Sequence, residues 1–523
     1  MHSEDGNRDH IIVGVIASVI IVNAFLFFLS RRQTFVHIDA IAHVNKARGL
    51  FDNFTPGLRQ LGTVWLPLPH ILIAPLAAID VLWRNGAAGS LLSVICYIGT
   101  SVLLFLIGYR WTGARVVGWI AFLLFGLNPR LIYLFTTPMT EPLMVFCAAG
   151  LLYCLMRWAE EGSWTAFGMA SLMTFAGTLT RYEGWAIAAA AVLLIPILAR
   201  RKRVASSILF AGAAATGPLL WMVFNMVYFE DPLMFAYGLG SAQDYANGKT
   251  YPTAGKWLES VAAYSIDVAY CLNPAVVWLA LAGFVLSLIL LERWRWRHTL
   301  LLSSSGFAVF AFYVYNLYSN AVPVLLPGML KQDRQSVFNV RYGAVMAATI
   351  PLFAALFVFL VLRLVEHHRL FSVLLLAPLV LPDPIPPPSR ESIDQQFTRN
   401  LFYTEAIHNQ SFWMPPFVEI AQKLKSDMEA RQDQSSLILT NTRIIHVVVW
   451  AVDIPMRRFV HEMNKGYWER NFSDIDPKIR WVITEEGDQL WHGQGKFLQR
   501  NFFEVASATT PTTGTVHLYR RPD

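Results

Sequence analysis

Apolar runs of spanning or near-spanning length recur along the first three quarters of the chain. They cover residues 11–29, 67–83, 90–109, 116–135, 141–157, 164–179, 184–199, 204–228, 274–291, 299–317, 343–364 and 369–381. A helix rises 1.5 Å per residue, so about 20 apolar residues cross a hydrocarbon core. The pattern predicts a mainly α, polytopic membrane protein of about 11–13 spans. Several runs are short or interrupted by Gly or Pro, which is tolerated at membrane depth where the helix is packed in protein or lines a cavity. The first run is followed, not preceded, by Arg31-Arg32, and no small-residue cleavage site comes after it. It therefore reads as a membrane helix and not as a signal peptide.

Three longer polar or mixed stretches separate the runs: 30–66, 229–273 and 318–342. Basic clusters at Arg200–Arg203, Arg293–His298 and the EHHR segment at 366–369 mark cytoplasmic loops. All three long stretches then face the outer side, where they can enclose a cleft. This placement leaves Arg31-Arg32 outside, against the usual charge bias. Residues 1–381 thus form a transmembrane module.

Residues 382–390 are a proline-rich linker, expected to be extended. Residues 391–523 have soluble patterning. Short β-rich runs at 435–440, 480–486, 502–507 and 515–521 alternate with helix-like stretches at 415–431 and 455–470. That predicts a small extracytoplasmic α/β domain. No glycine-rich phosphate loop follows any of its strands, so it receives no catalytic role. No internal repeat is evident.

Composition agrees with this organisation. The 523 residues are 55% hydrophobic and only 15% charged, where a soluble domain carries about a quarter charged. The net charge of +6 comes from basic span ends and gives no support to nucleic-acid binding. Cys96, Cys147, Cys154 and Cys271 lie in or beside apolar runs without zinc-ligand spacing, and the C-terminal part has no cysteine.

Charged residues at span ends carry the candidate chemistry. In the segment FVHIDAIAHVNKAR (35–48), a helix would place Asp39, His43 and Lys46 on one face. The face suits a charged lipid head group, or else is simply solvated. Glu141, with Pro142 after it, is either a helix start or a functional carboxylate beside the cleft. Arg181 and Glu183 flank a tight turn permitted by Gly184. They are a structural pair, or they orient Asp39 or bind sugar hydroxyls. Arg341, beside Tyr342, is a snorkelling anchor or a phosphate ligand. His70 closes the WLPLPH segment that opens the second run, as an interfacial residue or a phosphate contact. Tyr237, Tyr245, Tyr251 and Trp257 make the second long loop aromatic, for stacking on sugars or for packing.

In order along the chain, these features resemble the GT-C superfamily of polytopic glycosyltransferases over roughly residues 10–380. The similarity is to bacterial protein O-mannosyltransferases and aminoarabinose transferases, a family-39-like group. Asp39 matches the first-loop catalytic aspartate, Glu141 the second acidic position, Pro69-His70 the proline-containing start of the second span, and Arg341-Tyr342 the late Arg-Tyr. Two departures bear on the substrate: Ala40 follows Asp39 where relatives have an Asp-Glu pair, and LPLPH stands for His-Pro-Pro-Leu.

The resemblance implies transfer of a hexosyl or pentosyl group from a polyprenyl-phosphate donor to a protein, lipid or glycan hydroxyl. The setting would be the outer face of a bacterial inner membrane, among membrane lipids. Asp39 would be the general base, with His43 assuming part of the missing acid's role. Arg341, helped by Lys46, Arg59 or His70, would neutralise the leaving phosphate. A divalent ion shared by Asp39 and Glu141 is compatible: magnesium or manganese by their oxygen ligands, zinc if His43 joins. The competing classes are a secondary transporter, which would favour a repeat and midplane charges, and a non-catalytic scaffold or receptor.

Overall fold

The computed structural model describes residues 6–238, 241, 244, 250–290, 295–326, 329, 338–364, 401–511 and 514–523. Every apolar run up to residue 364 is helical. The run at 369–381, the proline-rich linker, residues 391–400 and Tyr245 lie outside the described residues.

Among the described residues, five helices are long and apolar enough to cross a membrane: Arg8–Ser30, Ala87–Thr112, Glu141–Glu161, Arg203–Phe229 and Trp296–Tyr318. Three bent pairs raise the number to eight if each is one span. They are Arg115–Gly126 with Pro129–Phe135 (68°), Trp257–Leu272 with Pro274–Ile289 (110°), and Tyr342–Ala348 with Ile350–Arg363 (52°). The larger number of apolar runs reflects helix length. Leu68–Ala77, Trp164–Thr178 and Glu183–Leu198 are apolar helices of 10, 15 and 16 residues.

Local chemistry sets the bends. Asn128 accepts from the Arg130 and Leu131 amides and Pro129 opens the next helix, so the chain restarts there. Asn273 adopts φ +78°, its side chain accepts from the Ala275 amide, and Pro274 follows.

The loop expected at 229–273 therefore needs correcting at its end, where Trp257–Leu272 is a helix. Glu259, Ser260, Ser265 and Asp267 interrupt its apolar pattern, yet Ala263, Tyr264, Val268 and Cys271 pack inside.

The chain forms two compact units, each discontinuous in sequence. The first comprises Met1–Arg31, Thr63–Pro69 and Ser90–Glu405. Its helix Glu141–Glu161 has ion pairs at both ends. Glu160 and Glu161 meet Arg110, and His298 Nε2 lies 3.5 Å from Glu160. Glu141 lies at the opposite end, roughly 30 Å away at 1.5 Å per residue. Small residues allow close packing here: a Cβ on Gly184 would fall 2.3 Å from the Gly177 carbonyl oxygen.

The second unit comprises Arg32–Gly62, His70–Gly89 and Ala406–Asp523. Most of the first long loop thus packs with the C-terminal part of the chain, because its polar groups find partners there. The unit holds a five-stranded sheet, order β2-β1-β3-β5-β4. The strands are β1 (Leu437–Leu439), β2 (Phe459–Val460), β3 (Ile479–Glu485), β4 (Phe503–Thr509) and β5 (Thr515–Arg520). β1 runs parallel to β2 and β3, while β5 is antiparallel to β3 and β4. Leu439, Val460, Val482, Leu490, Leu498 and Tyr519 fill one core.

The helix expected at 415–431 is present as Pro415–Ala430. The one expected at 455–470 is instead a short 3-10 turn, strand β2 and the helix Tyr467–Arg470. Pro455 and Gly466, the latter at φ +80°, divide that stretch.

Candidate active site

Within the first unit, the segment before helix Glu141–Glu161, the turn after Thr178 and the segment 338–343 bring five of the sequence-predicted residues together: Glu141, Arg181, Glu183, Arg341 and Tyr342. Glu141 is fully buried at the first turn of its helix, with Pro142 following. Its Oε1 accepts from Arg181 Nη1 at 2.9 Å and from Arg341 Nε at 2.9 Å. Arg181 Nη1 also donates to Thr140 Oγ1 at 2.9 Å, and Nη2 donates to the Tyr313 hydroxyl at 3.1 Å. Arg181 pairs with Glu183 across the turn. Both guanidiniums lie against the Tyr342 ring, 5.1 Å (Arg181) and 5.3 Å (Arg341) from its centroid. Tyr313 stacks on Tyr342 at 5.1 Å, and Tyr264 on Tyr313 at 4.8 Å. Two cations and an aromatic stack thus surround one carboxylate.

Sequence reasoning missed two acids of this cluster. Glu405, fully buried, lies 3.5 Å from Arg341 Nη1 and accepts from the Asn339 and Val340 amides. Asp267, also fully buried, accepts from the Gly343 amide at 2.8 Å. The isolated carboxylate in the otherwise apolar DVAYCL segment was the available signal for Asp267. Glu405, in LFYTEAIH, carried none.

The remaining candidates belong to the second unit. Asp39 lies in the first turn of helix Ile38–Gly49, where the helix dipole favours a carboxylate. Its amide donates to His37 Nδ1. Most of this helix is buried, so it is not a solvated amphipathic segment. His43 Nδ1 and His70 Nε2 are 2.9 Å apart, both rings buried, so one donates and the other accepts. Lys46 Nζ donates to the Leu61 carbonyl at 3.2 Å, and Arg59 Nε to the Met463 carbonyl at 3.1 Å.

Lys46 lines a cavity of about 20 Å³ with Asn53, Gln60, His446 and His461, room for one water. Burial lowers the Lys46 pKa to about 8 against the opposing pull of Glu462. Burial also raises Glu462 to about 7 and, with the Lys46 charge, lowers His461 to about 3. The first loop is tied further by Asn45, whose Nδ2 donates to the His446 carbonyl, and by Asn464, which donates to Asn53.

Among the described residues, no group of three or more His, Cys, Asp or Glu side chains gathers as a metal cage. Glu141, one of the two expected ligands, has Oε1 bonded to two guanidiniums. No step is assigned to a resident ion.

Residues 68–226 match the family model of dolichyl-phosphate-mannose-protein mannosyltransferases. Two solved structures of ArnT from Cupriavidus metallidurans share the fold. The form bound to undecaprenyl phosphate is 11% identical, with a TM-score of 0.56 over 96% of this chain and 97% of that one. The apo form is 12% identical, with a TM-score of 0.53 over the same shares. No curated protein sequence matches the chain. The resemblance to GT-C glycosyltransferases of the mannosyltransferase and aminoarabinose transferase type is thus supported by a sequence match and by the fold. The chain is an integral membrane protein with a GT-C-like helical module and a small C-terminal sheet.

Proposed function

We propose that this protein transfers a sugar from a polyprenyl-phosphate donor to an acceptor hydroxyl at the outer face of a bacterial inner membrane. The observation that carries the reading is the family match over residues 68–226, the stretch that contains His70, Glu141, Arg181 and Glu183. The fold shared with ArnT supports the same class and suggests undecaprenyl phosphate as the lipid probe.

In this reading Asp39 takes the proton of the acceptor hydroxyl as it attacks the anomeric carbon. The bond to the lipid phosphate breaks, and the phosphate leaves with an added negative charge. Cations fixed in advance are the largest aid to such a departure, because no solvent has to reorganise as charge develops. Arg341 fills that role, with Arg181 beside it. A guanidinium forks onto phosphate oxygens with two parallel N–H donors. Glu141 binds both guanidiniums through one oxygen, which fits a role in holding them and leaves the proton transfer to Asp39. His43 and His70 brace the helix that carries Asp39. Lys46 and Arg59, the further cations expected from the sequence, donate to carbonyls in the second unit, so their part is to shape the first loop.

The test is mass spectrometry of lipids that copurify in mild detergent, wild type against Arg341→Ala. Enrichment of a polyprenyl-phosphate species in the wild type and its loss in the variant is expected. Equal amounts of that lipid in both preparations would remove Arg341 from the phosphate site. Absence of any such lipid, with no binding of added undecaprenyl phosphate, would refute the donor assignment.

A further inference from the structure

The Asn339–Gly343 turn carries both Arg341 and Tyr342, and buried acids hold it at its two ends. Asn339 sits at φ +57°, and its Nδ2 donates to the Pro323 carbonyl at 2.9 Å. The consecutive amides of Asn339 and Val340 converge on Glu405, at 2.9 Å to Oε1 and 3.3 Å to Oε2. The N–H of the left-handed residue and that of its successor form a concave anion seat, and here the anion is a side chain of the same protein. The same Oε1 lies 3.5 Å from Arg341 Nη1. At the other end, Asp267 accepts from the Gly343 amide, and a Cβ on Gly343 would lie 2.7 Å from the Asp267 carbonyl oxygen.

The geometry points to Glu405 as a positioning residue: it fixes the turn and its guanidinium so that Arg341 meets the donor phosphate in one orientation. This inference rests on the glycosyltransferase reading above. Glu405 lies 64 positions beyond Arg341 and past the last apolar run, so the phosphate-binding arginine is set by chain that follows the membrane module. The helix Leu401–His408 that supplies it is anchored by Phe402 and Tyr403, whose rings pack on Tyr133 at 5.5 and 5.0 Å. A carboxylate gripped by two amides and an arginine also resembles a phosphate, which raises the opposite role, a placeholder that the donor must displace. Complete burial of Glu405 and the aromatic anchor just before it in the same helix favour a fixed part, because displacement would strand a charge in the protein interior.

The experiment uses the full chain in detergent, as wild type, Glu405→Gln and Glu405→Asp, with undecaprenyl phosphate as the titrated probe. Two readouts are taken: affinity for the probe, and hydrogen exchange of peptides covering 338–343. In Glu405→Gln one of the two accepting oxygens becomes an NH2 group that donates and leaves the N–H facing it unmatched, so faster exchange of the turn and about tenfold weaker binding are expected, the equivalent of one charge-assisted hydrogen bond. Glu405→Asp keeps the charge and is expected to recover part of both. If the glutamine variant does not purify as a folded protein, the aspartate variant against wild type carries the comparison, with a smaller loss expected. Loosened exchange with unchanged affinity would overturn the positioning role, as would tighter binding, the signature of a placeholder. Failure of the wild type itself to bind the probe would defeat the donor reading, and the inference with it. A loss confined to the variants leaves that reading standing.

Discussion

Replacing Glu141 by glutamine keeps the shape of the buried centre and removes one charge. Oε1 of Glu141 holds Arg181 and Arg341, each at 2.9 Å. A hydrogen bond between charged groups contributes about 1.5–3 kcal/mol, and a neutral one about 0.5–1.5. Two bonds weakened by that difference amount to about 2–3 kcal/mol. A formal count points the other way. Arg181 and Arg341 form ion pairs with Glu141, Glu183 and Glu405, so deleting one of these acids balances the charges of the ion-paired groups. The count ignores contact, since Glu141 is the one acid bonded to both guanidiniums, and breaking a buried pair from one side commonly costs about 3–5 kcal/mol. At roughly 2–4 °C per kcal/mol for domains of 150–250 residues, and less for a larger unit, the melting temperature is expected to fall by about 5 °C. The buried thiols of Cys96, Cys147 and Cys271 provide the assay, because a thiol-reactive dye labels them as the unit opens. Glu141→Gln, Arg341→Met and the double variant close a thermodynamic cycle with an expected coupling of about 1–2 kcal/mol. A melt within about 1 °C of wild type, or additive single effects, would refute the idea that contact and not charge count governs this cluster.

Other outcomes follow from the same contacts. Asp39→Asn is expected to lower turnover by about 10²–10⁴-fold while undecaprenyl phosphate binding stays near wild type; full turnover would dismiss Asp39 as the base. Gly343→Ala forces a Cβ against Asp267 and Val268, an overpacking cost of about 1–3 kcal/mol, read as a lower melting temperature with weaker probe binding. Glu462 is raised from 4.5 to about 7 by burial, so its folded form favours the proton. That stabilisation is complete below pH 4.5 and is lost as pH rises through 7. Glu462→Gln stays neutral throughout, so its melting temperature, followed by tryptophan fluorescence, is expected to exceed wild type at pH 7.5 and to match it near pH 4.5.

The membrane helices were legible because their signal is local. A run of apolar residues declares itself wherever it falls, and Pro142 marks a helix start on its own, whereas the restart at Asn128-Pro129 inside the run 116–135 was not read. Among the described apolar helices of the first unit, the missed one, Trp257–Leu272, hides behind Asp267, a buried carboxylate that a distant amide receives, and in the second unit the helices Thr442–Ala451 and Gln489–Asn501 were missed as well. The shared face of Asp39, His43 and Lys46 presupposed a helix, which the structure shows at Ile38–Gly49; its burial could not be read locally, since Asn45 finds its partner 401 positions away. Arg341 and Glu141 each stood out as charges at span ends, and their pairing across 200 positions was invisible. Glu405 lacked any local mark, because its significance comes entirely from amides 65 and 66 positions upstream.

The second compact unit also has a history in time. Arg32–Gly62 and His70–Gly89 are made early, whereas Ala406–Asp523 follows several hundred residues later. At roughly 5–20 residues per second of synthesis, the first loop waits on the order of 20–80 s for the strands and helices that satisfy Asn45, Asn53 and Arg84. During that interval the membrane helices that precede Ala406 are already made, while the loop bearing Asp39 is without its C-terminal support. Synthesis halted before Ala406 would leave the loop that carries Asp39 without the partners of Asn45, Asn53 and Arg84, so its polar groups would face solvent. The unit that holds Asp39 is thus completed by chain made several hundred residues after it.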